Sequence, residues 1–132
     1  MTPLSRILYV EDQADIRIVA RMALVKRGGL DVCMCASGAE ALAAAPQFAP
    51  QLLLLDVMMP GMDGPATLAA LRALPGTAVT PAVFLTGKVD GSQQAACLAL
   101  GAIAIIAKPF NATTLADYVR AIWARHEAGS RT

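Results

Sequence analysis

The sequence predicts an α/β fold in which helices cover both faces of one parallel sheet. Two observations predict this class: short apolar runs alternate five times with helical patterns, and the apolar runs lead into polar or charged residues. The chain has 132 residues, 56% of them hydrophobic, which suits one domain with a substantial core. Five strand–helix units in a chain of this length imply a single sheet.

The five strands are predicted from short runs of apolar residues. These runs cover residues 7–10, 32–35, 52–55, 82–85 and 103–107. The third run is leucine throughout, and a strand that is apolar on both faces belongs in the middle of a parallel sheet. No linker, repeat or low-complexity segment interrupts the pattern. We therefore expect one domain over residues 1–132, with its core at about 5–125 and a short, frayed C-terminal tail.

Capping residues and prolines set the expected bounds of the first two helices. Gly28 and Gly29 end the first helix, because glycine tolerates the left-handed backbone that often follows a helix. Ser37 and Glu40 have the spacing of a capping box and begin the second helix. Pro46 is expected to lie in the loop after that helix.

Similar signals set the later helices. Pro65 suits the first turn of the third helix. The fourth helix carries Leu98 and Leu100 and is expected to run to Gly101. Asn111 is expected to cap the last helix, because its side chain accepts from a free N–H group in the first turn.

Charge and cysteine content exclude several classes of function. The net charge is +1, which gives no electrostatic reason to bind nucleic acid or an anionic membrane. The three cysteines lack metal-ligand spacing, as in a reduced intracellular protein, and Cys33 and Cys35 are expected to pack on one strand face. No apolar run is long enough to span a bilayer, and no signal-peptide pattern opens the chain. We therefore expect a cytoplasmic protein without a membrane or nucleic-acid partner.

Charged and polar residues stand at the ends of four of the predicted strands. Strand one ends in Glu11 and Asp12, strand three in Asp56, strand four in Thr86 and strand five in Lys108. The carboxyl ends of parallel strands share one edge of the sheet, where sites in this fold class form. Two carboxylates roughly 4 Å apart repel by about 4 kcal/mol, so this edge needs a positive partner. Lys108 and a hard divalent cation such as Mg²⁺ are the two candidates.

This set of residues suits the acceptance of a phosphoryl group. The Asp56 carboxylate is the expected nucleophile, and its attack on phosphorus would give an acyl phosphate. Lys108 and the Thr86 hydroxyl would bind the other phosphoryl oxygens, while the metal bridges those oxygens to the carboxylates.

The chain resembles the CheY-like response-regulator receiver family over almost its whole length. Four segments carry the resemblance, and they are Tyr-Val-Glu-Asp at 9–12, Leu-Asp-Val-Met-Met-Pro-Gly-Met-Asp-Gly at 55–64, Phe-Leu-Thr-Gly-Lys at 84–88 and Lys-Pro-Phe at 108–110. The resemblance implies a flavodoxin-like, doubly wound fold with five parallel strands in the order 2-1-3-4-5, flanked by five helices.

The resemblance also implies the roles of the site residues. It assigns Mg²⁺, or another divalent cation such as Mn²⁺, to Glu11, Asp12, Asp56 and the backbone carbonyl of Met58. It implies that a histidine kinase or phosphotransfer protein phosphorylates Asp56, with Thr86 and Lys108 assisting. It further suggests a cis peptide bond before Pro109.

The resemblance implies a stand-alone receiver of two-component phosphorelay signalling. We expect no DNA-binding domain after it, so output passes through contacts with a downstream target protein. We expect a monomer, or a weak dimer formed through the fourth helix, the fifth strand and the fifth helix. Such a protein is a switch, not an enzyme, and assists only its own phosphorylation and dephosphorylation.

Two positions depart from the family pattern. Ile105 stands where an aromatic residue is usual, and its stiff, ringless side chain implies a different output switch. Gly87 stands where alanine is common, so the phosphoryl group should be more open to water and its lifetime altered. Lys88 and Met58 also border the site in the family and should affect that lifetime.

Two other classes of function compete with a phosphorylated receiver. The first is a phosphorylation-independent adaptor on the same fold, which Ile105 favours and the complete set of site residues disfavours. The second is an enzyme. A flavin carrier would need a phosphate-cradling loop where Glu11 and Asp12 stand, and an aspartate-nucleophile phosphatase would need a second acid where Met58 stands.

Overall fold

The computed structural model describes residues 2–87 and 91–129 and contains a five-stranded parallel sheet between two layers of helices. The strands are β1 (Arg6–Val10), β2 (Asp31–Cys35), β3 (Leu52–Asp56), β4 (Ala82–Thr86) and β5 (Ala102–Ala107). Their order is β2-β1-β3-β4-β5, and every pairing is parallel. The fold class and strand order expected from the sequence are therefore confirmed.

Five helices follow the strands in turn. They are α1 (Ala14–Arg21), which continues as a π-helical segment (Met22–Arg27), α2 (Gly38–Phe48), α3 (Gly64–Arg72), α4 (Gly91–Ala99) and α5 (Leu115–Gly129). A short 3-10 helix (Pro75–Thr77) precedes β4. The segment that contains Lys88 lies outside the described residues.

Two apolar clusters, one on each face of the sheet, hold the layers together. On one face, α1 and α5 pack through residues such as Ala20, Leu24 and Val119. On the other face, α2, α3 and α4 pack through residues such as Ala41 and Leu71. β3 lies between both layers and is buried at all five positions, as expected for the central leucine run.

A glycine lets α3 pack directly against the end of β3. A Cβ atom on Gly64 would overlap the backbone of Asp56 and Val57, so no larger residue fits without movement. The Gly64 N–H group also donates to the Val57 carbonyl over 3.0 Å, and Asp63 caps α3 by accepting from Ala66 over 2.9 Å. These contacts fix the loop immediately after Asp56.

The first helix ends at Gly28 and Gly29 as expected, whereas the second helix is longer than expected. α1 widens into the π-helical segment before Gly29 takes a left-handed φ of 70°. Pro46 lies inside α2, not in the following loop, and the helix continues to Phe48 before Ala49 takes a left-handed φ of 53°. Proline removes one helical hydrogen bond, but Ala41 and Ala45 are buried against the sheet and keep the segment helical.

The last two helices also differ in detail. In α4, Cys97 is buried whereas Leu98 and Leu100 are about half exposed, so the pattern of leucines did not identify its inner face. Asn111 Oδ1 accepts from the Thr113 N–H group over 2.9 Å, but it caps a turn, and regular helix begins only at Leu115. Helix α5 then continues through residues 127–129, which we expected to fray. No helix in the described parts of the chain is long and apolar enough to cross a membrane.

Candidate functional site

Four polar side chains predicted for the site lie at the carboxyl edge of the sheet. Glu11 follows β1, Asp56 ends β3, Thr86 ends β4, and Lys108 follows β5. Glu11, Asp56 and Thr86 are buried, with 0%, 3% and 2% exposure. The topology therefore brings together residues that are as far apart in sequence as Glu11 and Lys108.

Lys108 joins two of the acids. Its Nζ atom lies 3.0 Å from Glu11 Oε1 and 3.2 Å from Asp56 Oδ1. The backbone holds this side chain at the rim, because the Lys108 N–H group donates to the Thr86 carbonyl over 2.8 Å. The peptide bond between Lys108 and Pro109 is cis, as the family resemblance suggested.

Three carboxylates converge beside this ammonium group. One oxygen from each of Glu11, Asp12 and Asp56 lies within 4.8 Å of the other two. Carboxylate oxygens are the ligands that Mg²⁺ prefers, and the site leaves Asp12 partly exposed on one side. The donor set and its spacing therefore fit a hard divalent cation.

The surroundings of Glu11 make its ionised form unfavourable and so raise its pKa. Burial, with a smaller contribution from the neighbouring Asp56 carboxylate, raises the pKa of Glu11 to about 7, against the opposing effect of the hydrogen bond from Lys108. Burial alone would lower the pKa of Lys108, but its hydrogen bonds to Glu11 and Asp56 outweigh burial and raise it. One ammonium group thus only partly offsets the repulsion between the acids.

Backbone contacts hold Glu11 in place. Its N–H group donates to the Cys35 carbonyl over 3.0 Å, and its Oε2 atom accepts from the Gln13 N–H group over 3.2 Å. Arg17 Nη1 donates to the Glu11 carbonyl over 2.7 Å. Sequence reasoning assigned no role to Arg17, because a contact across six residues at a helix start leaves no periodic signal.

Three residues were expected to border a phosphoryl group on Asp56, and the structure describes two of them. Met58 is 68% exposed, and its carbonyl as a metal ligand stays a prediction. Gly87 is exposed, and a Cβ atom there would meet nothing within 4 Å. Lys88, which we also expected to border the site, lies outside the described residues.

Ile105 fills the position at which the family usually has an aromatic ring. It is half-buried, pairs in register with Phe84 and packs against the apolar cluster on that face. It also lines a surface groove that extends to Phe110 and Tyr118. Ile105 therefore takes part in the packing of β5 without a ring that could turn, and the different output switch that it implies stays a prediction.

Comparison with known proteins assigns the class. The family model of the response regulator receiver domain matches residues 7–120 of the chain. The chain is therefore a member of the response regulator receiver family, the signal-receiving module of two-component systems. This confirms the family resemblance carried by the four sequence segments.

Individual relatives agree with this assignment. The chain is 38% identical over 123 residues to the DNA-binding response regulator MtrA of Mycolicibacterium smegmatis, covering 92% of this chain and 52% of MtrA. It is 36% identical to the C4-dicarboxylate transport transcriptional regulatory protein DctR of Rhodobacter capsulatus, covering 89% of this chain and 59% of DctR. The chain thus spans about half the length of these curated relatives.

Solved structures match the whole fold. The chemotaxis protein CheY4 of Vibrio cholerae superposes with a TM-score of 0.83 at 30% identity, over 90% of this chain and 98% of CheY4. A response regulator from Chloroflexus aurantiacus superposes with a TM-score of 0.81 at 33% identity, over 94% and 100% of the two chains.

Proposed function

We propose that this receiver accepts a phosphoryl group on Asp56 from a phosphohistidine donor, with Mg²⁺ or a similar divalent cation bound at the site. One observation carries the proposal: the Lys108 ammonium lies between Glu11 and Asp56 at 3.0 and 3.2 Å, within a group of three converging carboxylates. A structural ion pair would not need the third acid, Asp12, at the same point.

The chemistry is a transfer between two nucleophiles. An Asp56 carboxylate oxygen forms a bond to phosphorus as the P–N bond to the donor imidazole breaks, and the electron pair of that bond stays on the imidazole nitrogen. Lys108 and the Thr86 hydroxyl bind phosphoryl oxygens and neutralise their charge. Glu11, Asp12, Asp56 and the Met58 carbonyl would hold a divalent cation, which would supply positive charge to neutralise the acids and the incoming phosphoryl group.

A small phosphodonor tests this proposal without a partner protein. Incubation with acetyl phosphate and Mg²⁺ should add the mass of one phosphoryl group, and chelation of the metal should prevent the addition. Asp56→Asn should abolish labelling, whereas Asp63→Asn, which alters the cap of α3, should leave it intact. An unlabelled wild type would show that the function is wrong and would favour a phosphorylation-independent adaptor. A labelled Asp56→Asn variant would show that Asp56 is not the phosphoacceptor.

The donor protein is proposed to dock on α1. Ile18 and Met22 are large apolar side chains that are 63% and 54% exposed, and such exposed groups mark interaction surfaces. Elsewhere on α1, Val19 lines a groove of about 210 Å³ together with Lys108 and Phe110, so the helix reaches the rim of the site. A donor bound there would place its histidine close to Asp56.

A charge placed on this surface should impair docking of the donor protein without affecting the phosphorylation reaction at Asp56. Ile18→Asp should slow phosphotransfer from a histidine phosphotransfer protein by about tenfold or more, as loss of an interface anchor does. Labelling by acetyl phosphate should be unchanged, because the small donor needs no docking surface. Val79→Asp is the matched control, since Val79 is 90% exposed and lies before β4 at the opposite edge.

The remaining assignments follow from this role. We propose a cytoplasmic switch, not an enzyme with its own turnover, whose output passes to a target protein through the surface formed by α4, β5 and α5. The same surface would support a weak dimer. MtrA is named as a DNA-binding response regulator, so for this chain the absence of a nucleic-acid partner is part of the proposal.

A further inference from the structure

Tyr9 is a buried polar residue that the proposed function leaves unused. It lies within β1 and is 0% exposed. Within residues 2–87 and 91–129, its hydroxyl is the one buried side-chain nitrogen or oxygen without a hydrogen-bond partner. A buried hydroxyl without a partner costs free energy, so phenylalanine would serve the packing at least as well. Its presence therefore calls for a role outside packing.

The position of Tyr9 relates it to the acids of the site. Side chains alternate along a strand, so Tyr9 and Glu11, two residues apart, share one face of the sheet. In the parallel register Tyr9 pairs with Leu54, so Asp56, two residues beyond Leu54, lies on this face as well. The phenol hydroxyl can donate a hydrogen bond to a carboxylate oxygen.

Phosphorylation of Asp56 would add hydrogen-bond acceptors at this edge of the sheet without adding hydrogen-bond donors. Lys108 already serves both Glu11 and Asp56, and Glu11 is completely buried. A phosphoryl group on Asp56 brings three further acceptor oxygens. Among the described residues, Lys108 is the ammonium group proposed to bind them. When Lys108 serves those oxygens, the Glu11 Oε1 atom needs another donor.

We infer that Tyr9 is a positioning residue whose hydroxyl donates a hydrogen bond to the Glu11 carboxylate when Lys108 turns to the phosphoryl group on Asp56. The inference rests on the proposed function and adds a residue to it. Tyr9 would act through Glu11, keeping this carboxylate in place while its ammonium partner is shared. The hydroxyl is therefore unbonded in the resting state and bonded in the phosphorylated state.

Removal of the hydroxyl should separate stability from function. Tyr9→Phe should slow labelling of Asp56 by acetyl phosphate by about tenfold, the effect of losing one hydrogen bond to a charged group. Its thermal midpoint without phosphodonor should equal or exceed that of the wild type. Tyr118→Phe is the matched control, because Tyr118 is exposed on α5 and its hydroxyl should not affect labelling.

A spectroscopic measurement on the wild type keeps the test independent of the variant. The chain has two tyrosines, so ring ¹³Cζ labelling gives two signals that Tyr118→Phe assigns. Addition of beryllofluoride with Mg²⁺, which mimics the phosphoryl group, should shift the Tyr9 signal, and the shift should persist in Tyr118→Phe. Lys108→Met should already shift the Tyr9 signal in the resting protein.

The outcomes separate this inference from the proposed function. Wild-type labelling by Tyr9→Phe, or an unmoved Tyr9 signal in protein whose Asp56 is occupied, would overturn the inference and leave the phosphoacceptor intact. If the wild type takes up neither acetyl phosphate nor beryllofluoride, the proposed function fails and the role of Tyr9 fails with it.

Discussion

At the amino edge of the sheet, buried and half-buried polar side chains bond to nearby backbone, whereas at the carboxyl edge they bond mainly to one another. Arg72 Nη1 donates to the carbonyls of Thr77 and Thr80 before β4, and the Thr77 hydroxyl donates to the Leu71 carbonyl. Gln51 Oε1 likewise accepts two backbone N–H groups at the start of β1, over 2.7 and 2.8 Å.

The carboxyl edge is organised on a different basis. Glu11 and Asp56 share one ammonium group, Asp12 adds a third negative charge, and Tyr9 keeps an unbonded hydroxyl close by. Polar groups that bond to nearby backbone need no ligand. Carboxylates whose negative charge is only partly neutralised can bind a cation. Substitutions at the amino edge should therefore cost stability, and those at the carboxyl edge should cost function.

The largest expected effect comes from exchanging a cation for methionine at each edge. Lys108→Met should slow labelling of Asp56 by about 100- to 1,000-fold, because it removes charge stabilisation from the transferred group. Arg72→Met should leave the labelling rate within about twofold of the wild type, since it lies at the far edge. Quantitative mass spectrometry during incubation with acetyl phosphate gives both rates. Equal effects would show that the two edges of the sheet do not differ in their importance for labelling.

The same pair of variants should behave differently in unfolding. Arg72→Met should lower the free energy of unfolding by about 2 kcal/mol, because two backbone carbonyls lose a charged donor. Urea denaturation followed by circular dichroism measures this loss. An Arg72→Met protein of wild-type stability would show that the amino edge does not depend on these hydrogen bonds.

Removing a negative charge from the carboxyl edge should stabilise the metal-free protein. Asp56→Asn relieves repulsion of Glu11 while Lys108 keeps its contact with Glu11, so the unfolding free energy should rise by about 1 kcal/mol. Saturating Mg²⁺ should reduce this gain, because the wild type then has its repulsion neutralised. Denaturation with and without Mg²⁺ checks both results, and a destabilised Asp56→Asn protein would count against the account.

Stability should also depend on pH through Glu11. Its pKa is raised from 4.5 to about 7 in the folded, metal-free protein, so its contribution to stability is complete below pH 4.5 and is lost as the pH rises through about 7. Mg²⁺ binds the ionised carboxylate, so the stabilisation that Mg²⁺ provides should grow over the same interval. Thermal midpoints across this interval test the sign, with Glu11→Gln as the control that lacks the titrating group.

The smallest expected effect concerns the lifetime of the phosphoryl group. A Cβ atom at Gly87 meets nothing within 4 Å, so Gly87→Ala should fit and shield the phosphoryl group from water. We expect dephosphorylation to slow by about twofold, a small change in barrier, with the labelling rate unchanged. Decay of labelled protein after removal of the donor measures this, and identical decay would remove the effect assigned to Gly87.

The strand order was predicted through the family resemblance, whereas the strand ends themselves predicted the edge at which the site forms. Four of the five apolar runs end before or at a functional residue, and parallel strands place those ends together, so Glu11, Asp56, Thr86 and Lys108 could be foreseen as neighbours. The distances could not be foreseen. That Lys108 contacts both Glu11 and Asp56 depends on side-chain packing that no periodic pattern records.

Helix ends and single side chains were harder to predict for physical reasons. Pro46 remains in α2 because burial of neighbouring alanines outweighs one lost hydrogen bond. Cys97, not Leu98, faces the sheet, since leucines occur on exposed helix faces as well. Tyr9 was foreseen only as part of β1, although a hydroxyl within an apolar strand run was the available signal.

Locating the phosphoryl group tests the central claim most directly. Protein labelled with acetyl phosphate and Mg²⁺ can be reduced with borohydride, which converts an aspartyl phosphate to homoserine, and then mapped by peptide mass spectrometry. The account predicts homoserine at position 56 alone. Homoserine at position 12 or 63 with an intact Asp56, or no conversion in fully folded, Mg²⁺-saturated protein, would contradict it.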